Sequence, residues 1–359
     1  MKEIIKEGEA ILKINKEVFY NPEMRLCRDI STILLKVLNK NNNLFSVLDL
    51  TSATGARGIR YMKEAGIKEG VFVDINKKAC SLTKENLKLN RLKAKVINLP
   101  IHELQKKLKE RFDVIDLDPF GTPVPYLDYV FNFVKDKSIV FVTATDTAVL
   151  FGAQPKACLK NYGSYTLHNE FQNEIGTRIL IYRILRSASE FNFGIKVLFS
   201  LAKRHYVRIA FQLKKGAEEA YASNKKVGYI SYCYKCLERS YSKFGKEFCS
   251  KKHKLENAGP LWLGELFDKK LAKEAEKIAR KQQNKEAEKI FSIASEELEI
   301  PFYYNLHYIA KKQKAKLLKN EEIINKLMEK GFKATRTIFC PYGIKTNAPV
   351  KEIKNIMGS

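Results

Sequence analysis

The chain has 359 residues, 45% of them apolar, and carries 65 basic against 40 acidic side chains, a formal charge of +25. The length suits about two domains. The sequence has no apolar run of roughly 18 residues, no signal-like start and no disulfide-like cysteine spacing, so we expect neither a membrane protein nor a secreted one. We expect a cytoplasmic globular protein whose charge favours a nucleic-acid partner, although the lysine-rich surface of a protein from a hot habitat would give the same excess.

Between Leu44 and Lys215 the sequence alternates short β-branched runs with helical stretches, which is the pattern of a parallel sheet flanked by helices. Two final runs lie close enough together to form an antiparallel pair at the end of this sheet. We therefore predict a doubly wound α/β domain, with its first helix at Gly58 to Ala65. The predicted strands are Ser46 to Leu50, Gly70 to Asp74, Lys95 to Asn98, Asp113 to Leu117, Ser138 to Thr143, Ile195 to Leu201 and Tyr206 to Lys214.

The segment Leu44 to Arg60 (LFSVLDLTSATGARGIR) runs from a buried strand through a loop of small residues into a helix. Such a loop lets a ligand approach the backbone at the carboxyl end of the first strand. With glycines only at Gly55 and Gly58, it lacks the three-glycine pattern of a dinucleotide site, and S-adenosylmethionine, which has no pyrophosphate, fits it better. Asp49 would meet the ammonium group of that cofactor or orient the loop.

The second predicted strand ends in Asp74, where an acidic side chain can accept hydrogen bonds from both ribose hydroxyls of a nucleoside cofactor. The alternative is that Asp74 only caps the helix that begins near Asn76. Together, the loop and the acid predict a Rossmann-like, class I S-adenosylmethionine-dependent methyltransferase domain.

The most specific signal is the run Asp113 to Pro123 (DVIDLDPFGTP), a buried strand that ends in Asp-Pro-Phe. An exocyclic base amine is a poor nucleophile because its lone pair is delocalised into the ring, and a carboxylate that accepts its N–H protons localises that pair. We predict this role for Asp118. Pro119 fixes the turn, and Phe120 offers a flat face to an extruded base. An ordinary Asp-Pro turn is the alternative.

Basic residues are most concentrated between positions 200 and 264, with 14 basic against 5 acidic side chains. The run Lys203 to Arg208 (KRHYVR) mixes cations with aromatics, as surfaces that follow a nucleic-acid backbone do, and Lys311 to Lys316 is a second candidate. A solvated face is the alternative for either run.

A candidate zinc knuckle occupies residues 233 to 253, where Cys233-x2-Cys236 is followed by Cys249-x3-His253. Three thiolates and one imidazole suit tetrahedral zinc. The alternative is a small core of reduced cysteines, with His253 exposed among neighbouring lysines.

The chain divides by composition into a methyltransferase domain at residues 1–222, which includes the N-terminal segment, and a smaller α+β C-terminal domain at residues 223–359. In the second domain we predict one Lys/Glu-rich helix from about Leu266 to Leu298. Two helices follow, at Tyr304 to Lys316 and Asn320 to Lys330, and then a strand at Phe332 to Phe339. This order is compatible with a winged-helix-like module.

Several motifs along nearly the whole chain resemble those of the archaeal and eukaryotic tRNA guanine-26 N2-dimethyltransferases, the Trm1 family. They are FYNPEMRLCRDIS (Phe19 to Ser31), SATGARGIR (Ser52 to Arg60), DLDPFGTP (Asp116 to Pro123), TATDTAVLFG (Thr143 to Gly152), HYVRIAF (His205 to Phe211), GPLWLG (Gly259 to Gly264) and PYGIKTNAP (Pro341 to Pro349).

The resemblance implies roles for individual residues. Asp118 would be the catalytic acceptor, with Phe19 and Phe120 on either side of the target guanine. The cofactor contacts would come from Arg28, Arg57 and Asp74. From the residues alone, Arg28 could equally be a surface residue, since it follows an aromatic N-terminal segment.

The chain departs from the family pattern after the third predicted strand. Relatives tend to carry an Asp-Ala pair there, which receives the amino group of the cofactor's adenine, whereas this chain has Pro100-Ile101. At this position we expect Ile101 to offer only its backbone to the cofactor.

The leading hypothesis is transfer of one and then two methyl groups from S-adenosylmethionine to N2 of guanine 26 in tRNA. The predicted partner is tRNA, which we expect the C-terminal domain at residues 223–359 to bind. We expect no membrane and no obligate protein partner, and zinc is a second candidate ligand. An enzymatic alternative is an N-methyltransferase acting on ribosomal RNA or on DNA adenine. A non-catalytic RNA-binding protein with a vestigial cofactor fold is the other alternative.

Overall fold

The computed structural model describes residues 3–203 and 205–358. An N-terminal hairpin of β1 (Glu3–Glu7) and β2 (Ala10–Ile14) precedes the long helix α1 (Arg25–Asn42). Asn86 and Asn90, from a later helix, hold the outer edge of β2, because their side-chain oxygens accept hydrogen bonds from the backbone N–H groups of Lys13 and Ile11. The hairpin is therefore attached to the body of the protein.

A seven-stranded sheet forms the centre, in the spatial order β5-β4-β3-β6-β7-β9-β8. Its first five members are parallel, whereas β9 is antiparallel to both β7 and β8. The predicted doubly wound fold, including the antiparallel pair, is confirmed. The strands are β3 (Ser46–Asp49), β4 (Glu69–Asp74), β5 (Lys95–Asn98), β6 (Phe112–Leu117), β7 (Val134–Ala144), β8 (Phe193–Lys203) and β9 (Tyr206–Lys215).

Helices connect these strands, and a parallel sheet needs them because each crossover must return to the same edge. The longest one, α8, packs on β8. They are α2 (Ala56–Glu64), α3 (Lys77–Leu89), α4 (Ile101–Leu104), α5 (Leu127–Val130), α6 (Thr147–Leu150), α7 (Pro155–Tyr162) and α8 (Gln172–Glu190).

A small antiparallel sheet follows the central one. Helix α9 (Ala217–Asn224) leads into β10 (Val227–Tyr232), which lies between β11 (Arg239–Ser242) and β12 (Glu256–Trp262). The domain boundary at residue 222 falls inside α9, which packs on β8. One continuous apolar core contains residues from both sides of that boundary, so the division into residues 1–222 and 223–359 stays a prediction.

The single helix predicted from Leu266 to Leu298 is wrong. The structure has a helical hairpin, α10 (Lys269–Lys281) and α11 (Lys285–Glu296), whose two arms pack against each other. Gln283 takes a left-handed conformation with φ of 57°, and the side chain of Asn284 accepts a hydrogen bond from the backbone of Ala287. An asparagine cap therefore starts a new helix where the sequence has no glycine or proline.

The last part of the chain combines helices with a three-stranded sheet in the order β13-β15-β14. The order helix, strand, helix, helix, strand, strand is that of a winged helix, although the predicted strand Phe332 to Phe339 is shorter in the structure. The elements are β13 (Tyr304–Asn305), α12 (Leu306–Gln313), α13 (Asn320–Glu329), β14 (Ala334–Arg336), β15 (Gly343–Thr346) and α14 (Val350–Gly358).

Among the described residues, no helix has the length and apolar character needed to cross a membrane.

Candidate active site

The loop predicted to hold the cofactor connects β3 to α2 at the carboxyl edge of the sheet. Gly55 starts α2 with a φ of 78°, a left-handed conformation that favours glycine. At Gly58 a Cβ atom would lie 2.4 Å from the ring of Phe72, so glycine also lets α2 approach β4. Gly55 is therefore favoured by its backbone conformation, and Gly58 by the close packing of α2 on β4.

Asp49 lies under this loop and is buried. Its carboxylate accepts hydrogen bonds from the backbone N–H groups of Thr51 and Gly58, at 3.4 and 3.3 Å. Burial and the neighbouring charge of Asp116 raise the pKa of Asp49. Of the two roles predicted for Asp49, the structure supports orientation of the loop.

Asp74 ends β4, beside the same loop. One of its oxygens accepts a hydrogen bond from the backbone of Ala53 at 2.8 Å, and the other accepts one from the backbone of Asn76, also at 2.8 Å. Asn76 itself caps α3, because its side chain accepts a hydrogen bond from Lys78. Asp74 therefore connects the loop to the cap and remains partly exposed at the sheet edge.

Ile101 begins α4, directly after Pro100, at the carboxyl end of β5. Because Asp74 pairs with Asn98 in the parallel register of β4 and β5, this turn lies at the same sheet edge as Asp74. The Ile101 side chain is apolar and buried. Only its backbone can therefore form a hydrogen bond with a ligand.

The turn that begins at Asp118 is held from both sides. The backbone N–H of Asp118 donates to the hydroxyl of Thr51 at 2.9 Å, in the cofactor loop. Gly121 has a φ of 73°. Its backbone N–H donates to the hydroxyl of Thr145 at 2.7 Å, and its carbonyl accepts a hydrogen bond from the backbone N–H of Thr145 at 2.8 Å. The turn is thus fixed between the ends of β3 and β7.

Arg57, in the first turn of α2, forms an ion pair with Asp118. Its Nε and Nη2 donate to Oδ2 of Asp118 at 2.9 and 2.6 Å, while the carboxylate side chain remains 22% exposed. Burial alone would raise the pKa of Asp118, but the charges of Arg57 and Arg208 hold it below its ordinary value. Asp118 is therefore ionised at neutral pH. The remaining donor of Arg57, Nη1, is buried without a partner among the described residues.

A second buried ion pair supports this one from below. Asp116, two residues earlier on β6, accepts hydrogen bonds from both terminal nitrogens of Arg208 at 2.9 and 2.5 Å and from the hydroxyl of Tyr61 at 2.6 Å. Arg208 also donates to the hydroxyl of Thr143. This network fills the space beneath the Asp118 turn.

The predicted RNA-contacting run Lys203 to Arg208 is therefore wrong for Tyr206 and Arg208, whereas His205 is exposed and the Lys203 side chain is 41% exposed. Arg208 and Tyr206 are buried, and Lys203 pairs with Glu286, while Arg204 lies outside the described residues. The sequence did contain a signal for the burial of Arg208, because this arginine lies in an otherwise apolar strand. An arginine in such a strand is buried only when it has a charged partner.

Phe19 and Phe120 lie together at the mouth of the site. Their ring centroids are 4.5 Å apart, the rings are nearly perpendicular, and the side chains are 53% and 72% exposed. The two rings predicted to lie on either side of the target guanine contact each other in the structure, so the sandwich stays a prediction. Pro119 joins Phe120 to Asp118, so an aromatic surface directly borders the carboxylate.

Arg28 is buried, so the surface alternative is wrong for this residue. It donates two hydrogen bonds to the carboxylate of Glu7, at 2.7 and 2.6 Å, and one to the backbone of Asn21. Burial alone would raise the pKa of Glu7, but hydrogen bonds and charge from Arg28, with Tyr20 and Arg60, lower it to about 2. Sequence reasoning missed Glu7, which fixes the segment that carries Phe19.

Asp146 is a second residue that sequence reasoning missed. It follows β7, and one of its oxygens accepts a hydrogen bond from Tyr162 at 2.7 Å, while Tyr162 accepts one from Thr122 at 3.0 Å. Its other oxygen is buried without a hydrogen-bond partner in the described part of the chain. Burial raises the pKa of Asp146. The only signal in the sequence was its place at the end of a strand beside the Asp118 turn.

The candidate knuckle brings its four predicted ligands together. The ligating atoms of Cys233, Cys236, Cys249 and His253 all lie within 4.8 Å of one another. Cys236 Sγ is 3.7 Å from Cys249 Sγ, and Cys233 Sγ is 3.6 Å from His253 Nδ1. Tetrahedral zinc, with bonds of about 2.3 Å to sulfur and 2.0 Å to nitrogen, separates its ligands by about 3.5 to 3.8 Å.

Backbone N–H groups also point at the knuckle sulfurs. Cys236 donates to Cys233 Sγ at 3.5 Å, and His253 donates to Cys249 Sγ at 3.3 Å. Such bonds stabilise thiolates. The donor set and its spacing therefore fit zinc, and His253 is a member of the cluster rather than an exposed side chain.

Comparison with known proteins identifies the family of this chain. The matching family model is described as N2,N2-dimethylguanosine tRNA methyltransferase and spans residues 1–358. A tRNA (guanine(26)-N(2))-dimethyltransferase of Pyrococcus abyssi is 38% identical over 361 residues, which cover 95% of this chain and 93% of that protein. A tRNA (guanine(26)-N(2)/guanine(27)-N(2))-dimethyltransferase of Aquifex aeolicus is 34% identical, covering 99% of this chain and 93% of its own.

A solved structure gives the same result for the fold. Trm1 from Pyrococcus horikoshii, determined in complex with S-adenosyl-L-methionine, superposes with a TM-score of 0.90 and 36% sequence identity, covering 99% of each chain. The chain therefore belongs to the family of N2,N2-dimethylguanosine tRNA methyltransferases.

Proposed function

We propose that this protein transfers one and then two methyl groups from S-adenosylmethionine to N2 of guanine 26 in tRNA. The observation that carries the proposal is the ionised Asp118, held by Arg57 at the carboxyl edge of the sheet beside a cofactor-type loop. The names of the relatives support the substrate, and the name of the solved Trm1 complex supports the cofactor.

The residues around the loop fit S-adenosylmethionine. Arg57 Nη1 and the Ser52 hydroxyl are buried without partners among the described residues, and they supply donors for a carboxylate. Asp74 supplies an acceptor for ribose hydroxyls at the end of β4. We assign the cofactor site to Arg28, Asp49, Gly55, Arg57, Asp74 and the backbone of Ile101.

Two of these assignments are indirect. Arg28 is engaged by Glu7, so its contribution is to order the N-terminal segment next to the cofactor. Asp49 shapes the loop through its bonds to Thr51 and Gly58. The cofactor supplies a methyl group that is already activated by its positively charged sulfur.

Asp118 acts on the base amine. Both hydrogen bonds from Arg57 end on Oδ2, and we assign Oδ1 to accept a hydrogen bond from N2 of the guanine. As the bond between N2 and the methyl carbon forms, the bond from that carbon to the cofactor's sulfur would break and leave a neutral thioether, while the N–H proton becomes acidic and Asp118 receives it. For the second transfer, the monomethylated amine rotates and presents its remaining N–H to the same carboxylate.

Phe19 and Phe120 hold the base in this proposal. A base between two parallel rings needs them about 7 Å apart, two contact distances of roughly 3.5 Å, whereas their centroids are 4.5 Å apart. Entry of guanine therefore requires one ring to rotate away, which the exposure of both side chains permits. Guanine 26 lies within folded tRNA, so it must also leave its stack.

The test uses two tRNA transcripts that differ only at position 26, one with guanine and one with adenine. Each is incubated with protein and S-adenosylmethionine labelled in the methyl group, and the nucleosides are then separated. We expect label first in N2-methylguanosine and later in N2,N2-dimethylguanosine, and only with the guanine transcript. Label in adenosine, or equal label in both transcripts, would show that the target or the position is wrong.

A further inference from the structure

The hairpin around the knuckle presents an unusual surface, which we call the knuckle surface. It consists of three aromatic residues that are exposed to 49%, 72% and 54% and five exposed lysines, all within residues 241–254. The aromatic residues are Tyr241, Phe244 and Phe248, and the lysines are Lys243, Lys246, Lys251, Lys252 and Lys254.

Hydrogen bonds hold the backbone that carries these aromatic rings. The backbone N–H of Lys246 donates to the hydroxyl of Ser231 at 3.0 Å, and its carbonyl accepts from the side chain of Asn257 at 3.1 Å. Phe248 forms an antiparallel bridge with Lys254. The rings are thus exposed on an ordered backbone, which lowers the entropy lost when a ligand binds them.

The metal cluster fixes the rest of this surface. Phe248 directly precedes the ligand Cys249, and Lys251 and Lys252 form the turn between Cys249 and His253. The position of the lysines therefore depends on the four ligands of the knuckle.

The lysines of the knuckle surface are available to a partner. Within residues 3–203 and 205–358, none of the five forms a salt bridge, and the segment contains one acidic residue, Glu247. The nearby carboxylate of Glu238 is occupied, because it accepts hydrogen bonds from the backbone and hydroxyl of Ser250. The surface therefore carries an uncompensated positive charge that fits phosphate groups.

The combination of rings and lysines identifies the kind of nucleic acid. Exposed aromatic faces bind bases by stacking, and only unpaired bases offer their faces, whereas duplex RNA is recognised through phosphates and 2′-hydroxyls. We propose that the knuckle surface binds unpaired nucleotides of the tRNA substrate, with the rings stacked on bases and the lysines on phosphates. This inference rests on the proposed function for the identity of the RNA.

The test compares tRNA binding of two double variants with matched controls. Phe244→Ala with Phe248→Ala removes two rings, and its control is Phe45→Ala, a 50% exposed ring outside the surface. Lys251→Ala with Lys252→Ala removes two charges, and its control is Lys84→Ala with Lys88→Ala, two exposed lysines on α3. The ligand is an in vitro transcribed tRNA with guanine at position 26, and the zinc content and thermal midpoint of each variant verify its fold.

We expect the ring variant to bind tRNA at least about 30-fold more weakly at constant salt, because two stacked bases lose their rings. In the lysine variant, the slope of log affinity against log salt concentration should become less steep by about 1.4. Each phosphate contact on a single strand contributes about 0.7 to this slope, and the variant loses two. Both controls should remain within twofold of the wild type. A short single-stranded RNA should compete for the surface better than the same strand annealed to its complement.

Unchanged tRNA affinity in a correctly folded ring variant would overturn the inference, as would equal competition by single strand and duplex. Both results leave the proposed function untouched if the wild type still methylates guanine 26. If the wild type transfers no methyl group to tRNA, the proposed function fails, and the single-stranded competitor still measures the surface directly.

Discussion

The Asp118 turn and the knuckle surface use charged side chains in opposite ways. At the turn, Arg57 and Arg208 are buried, and each is paired with an aspartate. At the knuckle surface, five exposed lysines have no salt bridge with any described residue. Paired buried charges fix geometry, whereas unpaired exposed charges remain available to a polyanion. The paired charges of the Asp118 turn therefore position its side chains, whereas the unpaired charges of the knuckle surface are suited to binding RNA.

The two regions also differ in what holds them. The turn is attached to strands of the central sheet, which lies in the continuous apolar core. The knuckle has an apolar cluster of its own that contains only Cys233, Cys249 and Leu255, with Cys236 packed against it. Disruption of the ligands should therefore damage the knuckle and leave the turn intact.

The largest effect that we expect is on methyl transfer in Asp118→Asn. Asparagine keeps the shape of the side chain but cannot accept a proton, so the single-turnover rate should fall roughly 100- to 10,000-fold. The affinity for tRNA should remain within twofold, because the knuckle surface is unchanged. A rate within tenfold of the wild type would place the proton acceptor elsewhere, and Asp146 would then be the first residue to examine.

The second prediction concerns stability. Arg208→Met leaves the buried carboxylate of Asp116 without its cation, so the free energy of unfolding should decrease by about 3 to 5 kcal/mol. Lys251→Met removes an exposed charge and should change it by less than about 0.5 kcal/mol. Urea titration monitored by circular dichroism measures both. A loss below about 1 kcal/mol for Arg208→Met would mean that the network positions the turn without stabilising the fold.

Much of the first region was predictable because it consists of apolar strands that end in polar residues. The run Asp113 to Leu117 and the loop at Gly55 follow patterns that backbone geometry imposes on any parallel sheet with a ligand at its carboxyl edge. The pairing of Arg57 with Asp118 was not predictable, since 61 residues separate the two and only the folded sheet brings them together.

The errors have a common physical cause. Arg208 was interpreted as part of a linear run of cations, whereas its exposure is decided by Asp116 on another strand. The break at Gln283 was missed because the cap of α11 depends on one asparagine side chain. The exposed rings of Phe244 and Phe248 were missed too, since no pattern in a loop distinguishes an exposed aromatic from a buried one.

The third prediction is a smaller loss, confined to binding. Cys236→Ser should lower the zinc content of the purified protein well below one ion per chain, since structural zinc needs all four ligands. The affinity for tRNA should decrease roughly tenfold, while the affinity for S-adenosylmethionine stays within twofold. Cys340→Ser, outside the cluster, is the matched control. Equal loss of cofactor binding would show that the knuckle supports the turn after all.

The smallest effect should be that of pH on the wild type. The pKa of Asp118 lies below its ordinary value, so the carboxylate is ionised at and above about pH 5, where an unperturbed aspartate of pKa about 3.9 is also largely ionised. A depressed pKa contributes stability above the unfolded value, and that stability is lost only as pH falls through the folded value. The single-turnover rate should therefore change less than twofold between pH 5.5 and pH 8 because of Asp118.

Arg57→Gln sharpens this test, because it removes the charge that lowers the pKa of Asp118 while burial continues to raise it. The charge of an adjacent arginine lowers the pKa of an aspartate, so the acid limb of the variant's rate should move toward higher pH than that of the wild type. The comparison uses saturating cofactor, since Arg57 is also assigned to cofactor binding. A variant profile as flat as that of the wild type would mean that Arg208 alone keeps Asp118 ionised, and that Arg57 serves the cofactor through its free Nη1.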